Sequence, residues 1–151
     1  SRILSETKLP PSQLCLELTE TILLARPADT LTQLNRLREI GVRIFIDDFG
    51  TGYSSLSYLD CLPVDMVKID KSFVEQIHSG SGQKELIPAI VNLSHSLGYP
   101  VTAEGVETAP QLRYLQAFGV DYAQGFLISR SMPALKTEDF CRKMILYPAM
   151  D

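Results

Sequence analysis

The stretch Val42–Leu56, VRIFIDDFGTGYSSL, decides how the rest of the chain is interpreted. It begins with a run of apolar and β-branched residues, which predicts a strand buried on both faces, as in a parallel sheet covered by helices. Two adjacent carboxylates, Asp47 and Asp48, stand where this strand ends. Gly50 and Gly52 follow, and they allow backbone turns that side chains would obstruct. The stretch therefore predicts a buried strand with an acidic end and a glycine-marked loop.

The acidic pair can be interpreted in two ways. Two carboxylates side by side repel each other, so Asp47 and Asp48 are expected to need a cation or a shared proton. Alternatively, one of them caps a helix and the other is solvated, because aspartate is a favoured N-cap residue. The first interpretation gains weight because polar residues recur at the ends of other predicted strands.

The composition predicts a globular domain. The chain has 151 residues, enough for one domain with a real core. Its net charge of -4 gives no basic surface for a nucleic-acid backbone, which argues against DNA or RNA polymers as partners. The three cysteines are far apart and match no zinc spacing, and no apolar run approaches the roughly 18 residues of a membrane span. We therefore expect a cytoplasmic segment, whose parent could still be tethered to a membrane upstream, with reduced cysteines.

Strand and helix patterns alternate along the chain. Strands are predicted at 14–20, 42–48, 64–70, 101–106 and 121–126. Helices are predicted from Asp29 or Thr30 to Gly41, at 55–59, at 83–97 with a kink or a later start at Pro88, at 110–118 and at 137–146. Such alternation predicts a parallel sheet with helical crossovers.

Polar side chains stand at or near the C-terminal ends of all five predicted strands. In α/β barrels and open parallel sheets the active site lies at that edge. Oxygen ligands without cysteine or histidine favour Mg²⁺ or Mn²⁺ over zinc, and two such ions suit phosphoryl chemistry. The residues concerned are Glu17, Asp47, Asp48, Lys68, Glu104, Glu107 and Gln124.

Five segments closely resemble the EAL-domain family of bacterial phosphodiesterases, which hydrolyse cyclic di-GMP to the linear dinucleotide pGpG. They are LELTET at 16–21, IDDFGTGYSSLSYL at 46–59, LPVDMVKIDKSFV at 62–74, TAEGVET at 102–108 and DYAQGFLISRSMP at 121–133. The segments have the family's order and spacing and cover nearly the whole chain. The resemblance implies an α/β fold, a (β/α) TIM-like barrel of the EAL type, acting with two Mg²⁺ or Mn²⁺ ions.

The resemblance also implies a role for each matching residue. Glu17 and Asp47 resemble metal ligands, and Asp48 resembles a ligand of the second metal or of its water. Lys68 is similar to the family's active-site lysine, which orients or deprotonates the attacking water. Glu104 matches the glutamate of the same catalytic cluster. An alternative for Lys68 is a simple salt bridge with Asp48 or with its strand neighbour at position 70.

Three further positions match groups around the family's catalytic cluster. Glu107 and Gln124 resemble pocket-lining residues, although Glu107 could equally be a charge placed at a helix N-terminus. Glu20 resembles the glutamate that steadies the loop 49–55, which couples the metal site to the dimer interface in this family.

The chain also departs from the family pattern. The naming motif Glu-Ala-Leu and the asparagine-bearing strand that follows it are absent. They would supply a metal-binding glutamate, a metal-binding asparagine and part of the guanine pocket. Because such a barrel needs about 250 residues, residues 14–151 are interpreted as the C-terminal portion of an EAL domain. Its first strands would then be missing, with residues 1–13 as a linker or the end of an upstream element.

Two functions follow from this interpretation. The leading one is a metal-dependent cyclic di-GMP phosphodiesterase in the parent domain, impaired in this portion. The alternative is a non-catalytic cyclic di-GMP receptor or interaction module, and another Mg²⁺-dependent barrel enzyme is a weaker third. We expect upstream sensory or cyclase domains in the parent protein and a homodimer. The exposed edge of the strand at 14–20 would pair with a second copy or leave the chain poorly stable.

Overall fold

The computed structural model of the chain describes residues 2–19, 22, 27–51, 61–77 and 85–145. Strands and helices alternate within these ranges, as the sequence predicts. The elements are α1 (Arg2–Thr7), a 3₁₀ turn (Pro11–Gln13), β1 (Cys15–Thr19), α2 (Pro27–Ile40), β2 (Arg43–Phe49), β3 (Met66–Ile69), α3 (Lys71–Glu75), α4 (Leu86–Ser96), β4 (Val101–Ala103), α5 (Ala109–Ala117), β5 (Tyr122–Ala123) and α6 (Ala134–Ile145).

The five strands form one parallel sheet in the order β1-β2-β3-β4-β5. Glu17 lies beside Phe45 in the β1–β2 pair, and Lys68 lies beside Thr102 in the β3–β4 pair. All strands therefore end at one edge of the sheet, here called the carboxyl edge, and begin at the opposite amino edge. The predicted five parallel strands are confirmed. The last two are shorter than predicted because their polar and glycine residues leave the pleat for loops.

The core is built on the three central strands. In β2, Ile44 and Ile46 are fully buried while Phe45 between them is half-buried, so one face of this strand is covered completely and the other in part. The neighbouring strands and α4 add fully buried aliphatic side chains, namely Val67, Ile69, Ile87, Val91 and Val101. This packing holds the strand ends in fixed register at the carboxyl edge.

The helices differ from the predictions in their boundaries. α2 begins at Pro27, earlier than the predicted Asp29 or Thr30, because proline suits the first turn of a helix. Pro88 lies in the first turn of α4, which confirms a later helix start. α1 lies inside the segment interpreted as a linker or upstream end. The short helix α3 was not predicted, and the predicted helix at 55–59 lies outside the described residues.

The outer strand β5 and the segment after it leave large apolar side chains partly exposed. Tyr122 is 57% exposed and Phe126 is 53% exposed. The pairing with a second copy that is predicted at the opposite edge, the strand at 14–20, stays a prediction. None of the helices within the described ranges has the length and apolar character to span a bilayer.

Candidate active site at the carboxyl edge

A buried lysine at the carboxyl edge holds three carboxylates together. Lys68 lies in β3, and its side chain is only 5% exposed. Its Nζ lies 2.8 Å from Glu17 Oε1, 3.1 Å from Asp47 Oδ1 and 2.6 Å from Glu104 Oε1. The three carboxylates come from β1, from β2 and from the residue after β4. The parallel sheet thus brings together side chains that are far apart in sequence.

The three carboxylates fix the charge of the lysine. Burial alone would lower the pKa of Lys68, because it disfavours the charged ammonium. Hydrogen bonds to Glu104, Glu17 and Asp47 outweigh burial, and they raise the pKa of Lys68 above its usual value. Lys68 is therefore a fixed positive charge. The alternative salt bridge with Asp48 or Asp70 is wrong, since the salt bridges of Lys68 are made with the three residues above.

The paired aspartates lie in an irregular part of β2. The register with β3 shifts between Ile46 and Phe49, and Asp48 adopts a left-handed backbone with φ of 55°. Aspartate tolerates this conformation better than most residues. Burial raises the pKa of Asp48, and the negative charges of Asp47 and Asp70 raise this pKa further. The negative charges of Asp47, Asp48 and Asp70 therefore repel one another at the end of β2.

Asp70 is a neighbour of this cluster, and the sequence predicts it only as an alternative salt-bridge partner of Lys68. Its Oδ1 accepts a hydrogen bond of 3.0 Å from the backbone N–H of Ser72 and so caps α3. Burial opposes ionisation of Asp70, but the hydrogen bonds from Ser72 and Lys71 lower its pKa. An aspartate directly before a short apolar-containing segment is an N-cap signal, and this signal could have predicted both α3 and its cap.

The other predicted site residues are not brought to the lysine. Glu107 and Gln124 lie in loops at the same edge with exposed side chains. Their described contacts are made by the backbone: the N–H of Glu107 donates to Gln111, and the N–H of Gln124 donates to Ala103. Glu20 lies outside the described residues, and the loop 49–55 is described only as far as Thr51.

The carboxylates provide part of a metal site. All donors are oxygens, which suits Mg²⁺ or Mn²⁺. Asp47 Oδ1 is buried, and its partner in the described part of the chain is the Lys68 ammonium at 3.1 Å. Among the described residues, no group of three or more His, Cys, Asp or Glu is arranged to hold a metal ion. The donor chemistry fits, but the described residues do not assemble a complete ligand set.

Comparisons with known proteins agree with this picture. A family model described as "EAL domain" matches residues 1–131. The protein named cyclic di-GMP phosphodiesterase NbdA of Pseudomonas aeruginosa is 45% identical over 127 residues, which cover 84% of this chain and 16% of NbdA.

Two solved structures are similar to most of this chain. The PaMucR phosphodiesterase in complex with c-di-GMP has a TM-score of 0.87 and 42% identity over 90% of this chain and 55% of its own. The Klebsiella pneumoniae BlrP1 manganese/cy-diGMP complex has a TM-score of 0.77 and 38% identity over 84% of this chain and 32% of its own. The chain spans about half or less of these proteins. The likeness confirms the predicted fold class, an incomplete α/β barrel of the EAL type, of which the described residues form one five-stranded parallel sheet.

Proposed function

The chain belongs to the EAL domain family, and on this premise we propose that it carries part of the active site of a metal-dependent phosphodiesterase. The substrate is cyclic di-GMP and the product is pGpG. The observation that carries this proposal is the cluster of Glu17, Asp47 and Glu104 on the buried Lys68. NbdA, 45% identical, is named for this activity, which supports the choice of substrate.

Glu17, Asp47 and Asp48 would hold Mg²⁺ or Mn²⁺. Burial and the charges of Asp47 and Asp70 raise the pKa of Asp48, which indicates a carboxylate placed where a cation is favoured. Bound ions would polarise the phosphodiester and lower the pKa of a coordinated water. The remaining ligands would be the glutamate and asparagine of the upstream motifs that this chain lacks.

Lys68 and Glu104 act on the attacking water. Because Lys68 is held charged by its carboxylate partners, its ammonium orients the water and offsets negative charge that develops on the phosphate. Glu104, 2.6 Å from Lys68 Nζ, fixes the direction of the ammonium. This favours an orienting role for Lys68 over a role as the base.

The surrounding loops complete the proposal. Glu107 and Gln124, with exposed side chains at the carboxyl edge, would line the nucleotide pocket. Glu20 would steady the loop 49–55 and couple the site to a homodimer interface. Upstream sensory or cyclase domains would regulate the parent protein.

A second candidate function is a cyclic di-GMP receptor without catalysis. It is favoured, for this chain alone, by one observation: the described residues lack a complete metal-ligand group, and Lys68 occupies the point where three carboxylates meet. Such a chain could keep nucleotide contacts while it lacks the metals that hydrolysis needs.

Hydrolysis of cyclic di-GMP with Mn²⁺ or Mg²⁺ tests the proposal. The assay compares this chain with a chimera in which about 100 residues from the upstream part of a matched relative's domain precede it, which restores a barrel of about 250 residues. We expect turnover by the chimera and little or none by the chain alone. Lys68→Met in the chimera should abolish turnover, whereas Lys136→Met, at an exposed lysine on α6, should not.

The outcome separates the two functions. Nucleotide binding by the chain and the chimera without turnover by either would contradict the phosphodiesterase and support the receptor. Equal turnover by the chain alone would show that the upstream ligands are not needed, and the assignment of the metal-binding residues would then be wrong.

A further inference from the structure

A buried amide side chain links the two segments that carry Lys68 and Glu104. Gln111 lies in the first turns of α5 and is only 5% exposed. A buried amide side chain must find partners for both its ends. Gln111 does so by bonding to two different segments of backbone.

The oxygen of Gln111 holds the loop that follows β4. Its Oε1 accepts hydrogen bonds of 2.9 Å from the backbone N–H of Glu107 and 2.9 Å from that of Thr108. The Thr108 hydroxyl in turn accepts from the Gln111 N–H at 3.4 Å and completes a capping box. These contacts fix the end of the segment that begins with Glu104.

The nitrogen of Gln111 reaches the neighbouring helix. Its Nε2 donates a hydrogen bond of 3.1 Å to the backbone carbonyl of Val74 in α3, which is completely buried. α3 directly follows Asp70 and β3, the strand that carries Lys68. One side chain therefore ties the loop of Glu104 to the segment of Lys68.

Two glycines at which a side chain would not fit show how closely the loop is packed. A Cβ on Gly105 would lie 2.6 Å from the Cβ of Lys71, at the start of α3. A Cβ on Gly125 would lie 2.2 Å from the carbonyl oxygen of Val106. The loop is thus packed directly against α3 on one side and against the segment after β5 on the other. The Glu104 N–H also donates to the Ile69 carbonyl at 3.1 Å, so the Gln111 bridge fixes the far end of this loop relative to α3.

We propose that Gln111 is a positioning residue for the phosphodiesterase site, because it holds Glu104 at hydrogen-bonding distance from Lys68. The inference rests on the proposed function. Gln111 touches neither substrate nor metal; it acts through the loop 104–108 and α3. The capping-box pattern of Thr108 and Gln111 is visible in the sequence, but the bond to Val74 is not.

The variant Gln111→Met tests this inference, because methionine keeps the length of the side chain and removes both hydrogen-bonding ends. The matched control is Gln116→Met, at an exposed position on the same helix. Leu115→Ala serves as a stability control, since Leu115 is buried in the core cluster and its apolar side chain forms no hydrogen bond to the loop.

The first two readouts use the chain itself, without metal or substrate. In Gln111→Met we expect the amides of Glu107 and Thr108 to exchange with solvent roughly tenfold faster, as expected for the loss of a backbone partner. We also expect the NMR signal of the Lys68 ammonium to shift or broaden. Neither change should occur in Gln116→Met or in folded Leu115→Ala. An unchanged Lys68 signal would overturn the proposal.

The third readout is hydrolysis by the chimera described above. The fraction of competent sites is counted from the stoichiometry of cyclic di-GMP binding, so that unfolded protein does not lower the result. We expect kcat per competent site to fall on the order of tenfold to a hundredfold in Gln111→Met with KM nearly unchanged. A kcat equal to that of Leu115→Ala would overturn the proposal. If the unaltered chimera does not turn over, the phosphodiesterase fails separately, and the Lys68 signal still decides whether Gln111 positions Glu104.

Discussion

The two edges of the sheet use aspartates in opposite ways. At the amino edge, Asp65 Oδ2 accepts a 2.8 Å hydrogen bond from Ile44 N–H, and Asp121 Oδ2 accepts a 2.7 Å bond from Val101 N–H. At the carboxyl edge, Asp47 Oδ1 lies 3.1 Å from Lys68 Nζ, and the charges of Asp47 and Asp70 act on Asp48. Carboxylates at one edge satisfy backbone donors, and those at the other crowd each other.

The amino edge repeats one local design. Asp65 and Asp121 each directly precede a strand, and each clasps the start of the preceding strand. Their side chains accept from its N–H while their own N–H groups donate to the carbonyl of the same residue, Ile44 at 2.8 Å and Val101 at 3.1 Å. Such carboxylates stabilise the fold because the charged acceptor meets a buried donor.

The aspartates of the carboxyl edge contribute less to the stability of the fold, because they repel one another. Its acidic side chains are held by one ammonium, and a bound metal cation would complete the balance of charge. In parallel α/β folds the carboxyl edge carries chemistry while the amino edge carries stability. Removal of the charge of Asp48 at the carboxyl edge and of an aspartate at the amino edge should therefore change stability in opposite directions.

The largest effect is expected from Lys68→Met at the carboxyl edge. Removal of this buried cation leaves Glu17, Asp47 and Glu104 facing one another, so the free energy of unfolding should fall by about 3 kcal/mol. Urea unfolding with EDTA present measures the change. The exposed Lys136→Met should change it by less than about 0.5 kcal/mol. A stable Lys68→Met chain would mean that the carboxylates accommodate one another without a cation.

Asp65→Ala at the amino edge should have the next largest effect. It leaves the Ile44 N–H without its charged acceptor, and we expect a loss of about 1.5 kcal/mol in the free energy of unfolding. The control is Asp139→Ala, at an exposed position on α6. Equal results for the two variants would show that the Asp65 clasp contributes nothing.

The sequence predicts the strands of the sheet well because each strand is marked by a pattern of neighbouring residues. Largely apolar runs such as 42–46, each followed by a polar residue, predict the five parallel strands. The polar residues at the strand ends predict Glu17, Asp47, Lys68 and Glu104 as residues of the site. Which partner each side chain takes depends on register between distant strands. Lys68 was therefore matched with the wrong alternative partner, and the clasps of Asp65 and Asp121 were not foreseen.

The sequence also does not predict the helix α3 or the hydrogen bond between Gln111 and Val74. α3 has five residues, too few to show a hydrophobic period, and only its aspartate cap marks it in the sequence. The bond from Gln111 to Val74 crosses between two helices, so no local pattern predicts it.

A smaller and pH-dependent effect is expected from Asp121→Asn. Burial opposes ionisation of Asp121, but hydrogen bonds from His95 and from the Val101 N–H lower its pKa below the ordinary 3.8. The unfolded chain therefore takes up this proton first as the pH falls. The stabilisation is complete above pH 3.8 and is lost as the pH falls through the lowered pKa of the folded state.

Urea unfolding of the native chain and of Asp121→Asn over this pH range measures the effect. At neutral pH the variant should be less stable by about 1 kcal/mol, a value reduced because Asp121 is partly exposed. The difference should shrink as Asp121 is protonated in the native chain. A difference that stays constant down to low pH would show that the hydrogen-bond geometry, and not the charge, is what Asn fails to reproduce.

The smallest effect, Asp48→Asn, should have the opposite sign. The substitution removes a charge that burial, Asp47 and Asp70 all disfavour, and asparagine also tolerates the left-handed backbone at this position. With EDTA present we expect a gain of about 0.5 kcal/mol in the free energy of unfolding, against no change for Asp139→Asn. Because Lys68 is near enough to favour the Asp48 charge, a loss of stability would mean that the lysine outweighs the crowding. The carboxyl edge would then hold its carboxylates by stabilising contacts, as the amino edge does, and the contrast between the two edges would not extend to Asp48.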